Sequence, residues 1–246
     1  MQKSGDNLLP GRVPLIDAIR GSALVAMIVY HFGFDLNYVG WLHQDLNHDW
    51  RWLTARALIL GSFLFSAGAS LALAEARRTP LKIKLARIAR IAAAALLVTA
   101  VSWIVFPRSA IYFGTLHAIA AMGLVMLAIP RGVWPACGIG VAALALGTLY
   151  SSSLFDQPAL AWLGLMTHKP VTEDYVPMLP WFGVCLFGYG TMNGILRKPK
   201  IFGMLPQPGT KLRSLTWLGR HSLAVYLLHQ PLLLALLIPI TRLLRT

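Results

Sequence analysis

The sequence predicts an all-α integral membrane protein, a bundle of about seven transmembrane helices. Its composition is 57% hydrophobic and only 13% charged, and its mean hydropathy is +0.62, a balance that soluble domains do not show. A spanning helix needs about 20 mainly apolar residues. Seven stretches approach that length: 14–34, 53–74, 85–106, 112–129, 133–150, 178–196 and 215–240. They leave no room for a soluble domain, so a single transmembrane domain over 1–246 is expected.

The segments between and within these stretches also have expected roles. The first stretch is expected to be a retained helix, because Asp17 and Arg20 interrupt what would otherwise resemble a signal peptide. The apolar run from Leu154 to Met166 is too short to span and is expected to be a re-entrant or surface segment, which leaves the count at seven or eight. The loop 197–214 contains several prolines and is expected to be free of helix.

The basic residues sort by loop, which predicts the orientation. The chain carries a net charge of +13. With the N-terminus inside, most of that charge falls on the inner side: Lys3, Arg12, Arg77, Arg78, Lys82, Lys84, Arg87, Arg90, Arg131, Arg197, Lys198, Lys200, Lys211, Arg213 and Arg220. This positive-inside pattern predicts a multi-pass membrane protein with a cytoplasmic N-terminus. Topology thus accounts for the charge, and nucleic acid is not an expected partner.

The first helix carries a stripe of ionisable residues. At about 100° per residue, Asp17, Arg20, His31 and Asp35 fall within an arc of about 60°. Ionisable side chains at bilayer depth are costly and are functional candidates by default. His31 is suited to take a proton from a hydroxyl or amine, Asp35 to orient it, and Arg20 to bind a phosphate or carboxylate. The alternatives are an interfacial Asp17–Arg20 ion pair and a histidine that is hydrogen-bonded in the core.

Further polar residues lie in the fourth and last helices. His117 lies at the same predicted depth as His31 and is expected to share its site. Ser222, Tyr226 and His229 form a stripe at positions i, i+4 and i+7 of the last helix. An interhelical hydrogen-bond seam explains that stripe as well as catalysis does.

The outer loop before the sixth stretch offers candidate substrate contacts. Glu173, Asp174 and Tyr175 place two carboxylates and an aromatic ring at the outer mouth of the bundle, with Trp181 close behind in sequence. Sugars are often held by such side chains, although a solvated charged loop is the competing interpretation. No metal is expected, because His43 and His48 are five residues apart and would oppose each other on a helix.

Several motifs, taken in order, resemble those of the heparan-α-glucosaminide N-acetyltransferase catalytic-domain family. The motifs are Asp17-Ala18-Ile19-Arg20-Gly21-Ser22-Ala23-Leu24 with Tyr30-His31-Phe32, Phe63-Leu64-Phe65-Ser66-Ala67-Gly68, Phe113-Gly114-Thr115-Leu116-His117, Leu179-Pro180-Trp181-Phe182-Gly183, and Leu218-Gly219-Arg220-His221-Ser222 through Tyr226 and His229-Gln230-Pro231. The spacing of Arg20 and His31 also resembles that of the acyltransferase-3 membrane enzymes. The resemblance extends over essentially the whole chain.

The resemblance, to a family that includes many small bacterial membrane proteins, implies a membrane acyltransferase of the bacterial inner membrane. The implied donor is acetyl-CoA or another acyl-CoA from the cytoplasm, and the implied acceptor is an amine or hydroxyl of a carbohydrate or glycolipid on the outer side. The expected residues are, for the donor, Arg20, Asp17, Ser222, Tyr226 and His229; for the acceptor, Glu173, Asp174, Tyr175 and Trp181; and for catalysis, His31, Asp35 and His117. Direct transfer with His31 as general base is favoured, and an acyl-histidine relay stays open.

A non-enzymatic transporter or channel-like membrane protein is the alternative class. Polar stripes in helical bundles also mark permeation paths. The sequence contains no detectable inverted repeat, which weighs against a transporter.

Overall fold

A computed structural model describes residues 12–46, 48–206, 209 and 212–245 of the chain. Nine α-helices occur in these residues: α1 (Pro14–Tyr38), α2 (Trp50–Ala76), α3 (Leu81–Val105), α4 (Thr115–Met126), α5 (Val133–Leu149), α6 (Trp181–Leu196), α7 (Pro199–Gly203), α8 (Arg213–Arg220) and α9 (Ser222–Arg245). The same residues contain no strand, and an isolated bridge joins Phe113 to Tyr175. The predicted all-α class is confirmed.

Four of the described helices, α1, α2, α3 and α9, are long and apolar enough to cross a membrane. The other three predicted spans correspond to α4, α5 and α6, which contain 12, 17 and 16 residues. At 1.5 Å per residue these are about 18 to 26 Å long, shorter than the hydrocarbon core of about 30 Å. The protein is therefore a helical membrane protein, and the count of seven spans stays a prediction.

Two segments differ from their predictions. The last stretch is not one helix, because α8 ends at Arg220 and α9 begins at Ser222 after a turn at His221. The loop 197–214 was predicted to be free of helix, but it contains α7, which has Pro199 in its first turn. A proline is tolerated there because its missing N–H would have no intrahelical partner. Lys3 and Lys211, which were counted among the inner-side charges, lie outside the described residues.

The core lies between α2, α4 and α6. Leu64, Met122 and Leu186, one from each helix, have no exposed surface. By contrast, α3 leaves large apolar side chains such as Leu96 and Ile104 exposed, at 65% and 83%, which suits a lipid-facing helix. The run 154–166 forms two short 3₁₀ turns, Ser153–Asp156 and Ala161–Leu163.

Helix α8 lies against the beginning of α1 and runs antiparallel to it. Gly21 faces Leu215, and Asp17 faces Gly219, so residue numbers rise along one helix as they fall along the other. A Cβ at Gly21 would overlap the Leu215 carbonyl oxygen, and a Cβ at Gly219 would overlap the Asp17 carbonyl oxygen. Both glycines are needed for this close approach, which brings Arg220 to the stripe on α1.

Candidate functional site

The stripe on α1 is divided between two polar clusters. The first is the arginine cluster, at the beginning of α1, where three guanidinium groups surround one buried carboxylate. Asp17 Oδ2 lies 3.7 Å from Arg12 Nη1 and 3.6 Å from Arg220 Nε, and Asp17 Oδ1 lies 3.6 Å from Arg20 Nη1. Three positive charges against one negative charge leave a local excess of positive charge, which suits an anionic ligand.

The three arginines of this cluster are not equivalent. Arg20 also donates to the Ser70 hydroxyl at 2.8 Å and to the Ser66 hydroxyl at 3.4 Å, so α2 holds its guanidinium in place. Its side chain is 21% exposed, whereas those of Arg12 and Arg220 are 59% and 47% exposed. The two exposed arginines are therefore better placed than Arg20 to meet a ligand from solution.

The second cluster is the histidine pair, His31 on α1 and His229 on α9. Their ring centroids are 5.0 Å apart. His229 Nδ1 lies 2.5 Å from the Tyr226 carbonyl oxygen. Because a carbonyl oxygen only accepts, Nδ1 carries the proton and Nε2 keeps its lone pair. Residue His229 is 8% exposed, and within the described chain its Nε2 has no hydrogen-bond partner.

Asp35 belongs to the same α1–α9 seam but does not orient His31. Its Oδ1 accepts a hydrogen bond from Gln230 Nε2 at 2.7 Å, and residue Asp35 is 1% exposed. Among the described residues no hydrogen bond joins Asp35 to His31. The helical spacing correctly predicts that the two side chains share a face, but the amide on α9 engages the carboxylate.

His117 uses both of its ring nitrogens within the fold. The Thr99 hydroxyl donates to the Ile111 carbonyl oxygen at 2.8 Å, so its oxygen is left to accept from His117 Nε2 at 3.1 Å. The Gly114 N–H donates to His117 Nδ1 at 3.3 Å. This arrangement holds the first turn of α4 against α3 and leaves no ring nitrogen for an acceptor molecule.

Asp174 caps α4. Its carboxylate accepts from the Thr115 N–H at 2.7 Å and from the Thr115 hydroxyl at 3.4 Å. Burial raises the pKa of Asp174 above its ordinary value, and the hydrogen bonds from Thr115 oppose that shift. The Tyr226 side chain interacts with the same two side chains. Asp174 is thus a half-buried carboxylate that caps a helix, and its contact with a sugar stays a prediction.

The neighbours of Asp174 also form hydrogen bonds that connect loops. Glu173 Oε1 accepts from the Ser109 hydroxyl at 2.5 Å, and the Tyr175 hydroxyl donates to the Ala161 carbonyl oxygen at 2.6 Å. Burial raises the pKa of Tyr175 to about 12. Trp181 begins α6 and packs against the core. The four residues predicted to hold the acceptor therefore make contacts within the protein.

The five residues predicted to bind the donor do not form one cluster. Asp17 and Arg20 lie in the arginine cluster, and Ser222 begins α9 two residues after Arg220. His229 instead belongs to the histidine pair, and the Tyr226 ring lies beside the His229 ring. The residues predicted to bind the donor are therefore divided between the arginine cluster and the histidine pair.

Three contributors were not among the predicted site residues. Arg12 and Arg220 were counted as charges of the inner side, and Arg220 and Gln230 were named as parts of a motif. A polar amide inside an apolar stretch was a signal for Gln230, since such side chains seek partners on other helices. Within the described chain, no group of three His, Cys, Asp or Glu side chains is arranged to hold a metal ion.

Comparison with known proteins identifies the family. A family model described as heparan-alpha-glucosaminide N-acetyltransferase, catalytic, matches residues 12–231. No curated protein matches the chain, and no solved structure does. The matched range contains the arginine cluster, the histidine pair, Asp35 and Gln230. Since the match covers most of the sequence, this chain belongs to the heparan-alpha-glucosaminide N-acetyltransferase catalytic family.

Proposed function

We propose that this chain moves an acetyl or other acyl group from acyl-CoA to an amine or hydroxyl of a carbohydrate or glycolipid. The donor's phosphates bind at the arginine cluster, and the reaction takes place at the histidine pair. Membership of an N-acetyltransferase family supports the transferase chemistry. The separation of the two clusters along α1 supports the assignment of donor binding to one cluster and of catalysis to the other.

The arginine cluster has the charge that a CoA donor requires. Arg12 and Arg220 are about half exposed and share one carboxylate with Arg20. Guanidinium groups bind phosphate oxygens through charge-assisted hydrogen bonds. Arg20 and His31 are eleven residues apart in the sequence (31 − 20), or about 16 Å along the axis of α1. The extended pantetheine arm of CoA joins its phosphates to its thioester and would run along this part of the helix.

Catalysis is assigned to His31 as general base. The acceptor nitrogen or oxygen attacks the thioester carbonyl carbon while His31 takes the acceptor's proton. The C–S bond then breaks, and the CoA thiolate leaves and recovers that proton from the His31 imidazolium. His117 is assigned a structural role, because both of its nitrogens are engaged. The observation that carries the assignment is the 5.0 Å approach of the His31 ring to the His229 ring, because the buried lone pair on His229 Nε2 is left to accept a hydrogen bond from the same acceptor group while His31 takes its proton.

The orientation follows from the charge pattern. We infer one domain of about seven membrane-spanning helices in the inner membrane, with the N-terminus and the arginine cluster on the cytoplasmic side. Reporter fusions within the segments 75–90 and 197–214 should then report a cytoplasmic location, and fusions within 151–177 the opposite side. A fusion within 75–90 that reports the outer side would contradict donor binding from the cytoplasm.

The test of function is His31→Ala. We expect acyl transfer to fall by about 10² to 10⁴, the usual contribution of a positioned base, while acetyl-CoA affinity changes less than about twofold. His168→Ala is the control, because that histidine lies in a loop and its side chain is 67% exposed. Transfer at the wild-type rate by His31→Ala would refute the assignment. Ping-pong kinetics in the wild type would instead indicate an acyl-histidine intermediate.

A further inference from the structure

Arg90 lies on an exposed and otherwise apolar stripe of α3. Ile83 and Leu97 are seven residues before and after it, and at about 100° per residue all three side chains fall within about 40° of one another. Ile83 and Leu97 are 46% and 55% exposed, and Arg90 is exposed as well. Because α3 is long and apolar enough to cross a membrane, this stripe faces lipid. Arg90 is therefore a cation between two lipid-facing apolar side chains.

The length of α3 places Arg90 below the surface of the bilayer. Trp103 is 59% exposed, and its ring meets that of Tyr112 edge to face, with 6.4 Å between the centroids. Exposed Trp and Tyr side chains mark the membrane–water boundary. Arg90 is 13 residues before Trp103 (103 − 90), or about 20 Å along the helix axis. The hydrocarbon core is about 30 Å thick, so Arg90 lies about 10 Å inside the opposite boundary, and tilting α3 would place it deeper.

No carboxylate compensates this charge. The sequence contains no Asp or Glu between Glu75 and Asp156, and none of the ion pairs among the described residues involves Arg87 or Arg90. Arg87 is also exposed, and side chains three residues apart on a helix are neighbours. Arg77, in the turn between α2 and α3, lies close enough for its charge to interact with that of Arg87. The flank of α3 therefore carries an excess of positive charge.

A phosphate is the anion that the bilayer itself supplies to such a site. An ionisable side chain that faces hydrocarbon is costly, and it recovers part of that cost by extending toward the surface and by thinning the bilayer locally. Local thinning brings lipid phosphates to the side chain. Guanidinium groups bind phosphate oxygens through paired, charge-assisted hydrogen bonds. Two adjacent guanidinium groups favour a phospholipid with a net negative charge over a zwitterionic one.

We propose that Arg87 and Arg90 form a binding site for the phosphate of an anionic phospholipid, in the leaflet where α3 begins. The headgroup lies against the flank of α3, below the level of the other headgroups in that leaflet, and an acyl chain covers the stripe at Leu97. The site requires that α3 spans the membrane, and it is independent of acyl transfer.

The experiment is a competition between two lipids, read by native mass spectrometry. Protein purified in detergent is mixed with equal amounts of dioleoylphosphatidylglycerol, which is anionic, and dioleoylphosphatidylcholine, which is zwitterionic, and the ratio of the bound lipids is measured. The test variant is Arg87→Gln/Arg90→Gln. The control is Lys198→Gln/Lys200→Gln, which removes the same number of exposed cations at α7. Glutamine has nearly the helix propensity of arginine, so α3 should be retained in the test variant.

We expect the wild type and the control to bind phosphatidylglycerol in preference to phosphatidylcholine by about tenfold. Arg87→Gln/Arg90→Gln should reduce that ratio to about twofold or less. Arg90→Lys keeps the charge but loses the paired hydrogen bonds, so its ratio should lie between these values. Nanodiscs give a second measurement: replacing part of the phosphatidylcholine by phosphatidylglycerol should raise the Tm of the wild type and the control but not that of the test variant.

Equal lipid ratios in the wild type and in Arg87→Gln/Arg90→Gln would overturn the lipid site. An equal loss in the control would also overturn it, because net charge alone would then attract the lipid. Inorganic phosphate added to phosphatidylcholine nanodiscs should leave the wild-type Tm unchanged; a rise that disappears in the test variant would show that these arginines bind a soluble anion instead. If the test variant does not fold, Arg90→Gln is measured in its place and is interpreted in the same way.

Discussion

Gly21→Ala tests the close contact that brings Arg220 to α1. The added methyl would overlap the carbonyl oxygen of Leu215, a backbone atom that cannot rotate away. Overpacking of this kind costs about 1 to 3 kcal/mol, and a backbone clash belongs at the upper end. Replacing glycine by alanine inside a helix returns about 1 kcal/mol. We therefore expect a net destabilisation of about 2 kcal/mol.

The matched control is Gly138→Ala, in the middle of α5. Apart from its own neighbours in the helix, no atom lies within 4 Å of the position that its Cβ would take, so only the helix-propensity gain of up to about 1 kcal/mol applies. The two variants should differ by about 3 kcal/mol, or roughly 6 to 12 °C in Tm for a chain of this length. Detergent-solubilised protein followed by thermal unfolding measures the difference.

A binding measurement then links this contact to function. Gly21 adjoins Arg20, and Gly219 adjoins Arg220, so separating α1 from α8 widens the arginine cluster. Acetyl-CoA should bind more weakly to Gly21→Ala than to Gly138→Ala in calorimetry. Equal Tm values for the two variants would refute the packing argument, and equal affinities at different Tm values would remove α8 from the donor site.

Three further variants separate binding from structure. Arg220→Ala should weaken acetyl-CoA binding by roughly fivefold, about 1 kcal/mol, because a half-exposed charge is partly screened; unchanged calorimetry would exclude it from the site. Arg20→Ala should also lower the Tm, since it loses its bonds to α2, and a wild-type Tm would contradict that anchoring. His117→Ala should lower the Tm and leave transfer per folded molecule close to wild type, whereas a hundredfold loss of turnover at wild-type Tm would make it catalytic. Asp174→Asn tests a titration. Burial raises the folded pKa of Asp174 above the ordinary value of 3.8, so its protonated form stabilises the fold at low pH and this contribution is lost as the pH rises through the folded pKa. The Tm of Asp174→Asn relative to wild type should therefore rise with pH from about 4 upwards, and a constant difference would show that the carboxyl does not titrate in this range.

The long helices could be predicted because their signal is local. The predicted spans 14–34, 53–74 and 85–106 correspond to α1, α2 and α3, each shifted by a few residues at its ends. Apolar length and composition determine such helices wherever they lie in the bundle. The last span was predicted as one helix because hydropathy does not register the turn at His221, whose partners are the carbonyl oxygens of Trp217 and Leu218.

Only the part of the site that lies on a single helix could be predicted from the sequence. Asp17, Arg20, His31 and Asp35 share a face because the helical period places them there. The partners of those residues come from other helices, such as Gln230 for Asp35 and Ser70 for Arg20. A sequence pattern does not contain those pairings, since they arise from tertiary contacts between residues far apart in the chain.

The loop residues show that residue type and position in the sequence do not determine which partner a side chain has. Glu173, Asp174 and Tyr175 have the residue types of a sugar site, and their positions between two apolar stretches suggested solvent exposure. The carboxylate of Asp174 instead meets the free amide at the beginning of α4. Whether a carboxylate binds a ligand or a helix terminus depends on which backbone N–H groups are nearby, and only the folded chain determines that.

The cap on α4 has a consequence for how the protein is made. Thr115 and the carboxylate that satisfies its N–H are separated by 59 residues (174 − 115). At about 5 to 20 residues per second, the ribosome adds Asp174 roughly 3 to 12 seconds after Thr115. Throughout that interval the 12-residue α4 lacks its capping carboxylate. The first turn of α4 therefore becomes complete only after the loop that carries Asp174 has been synthesised.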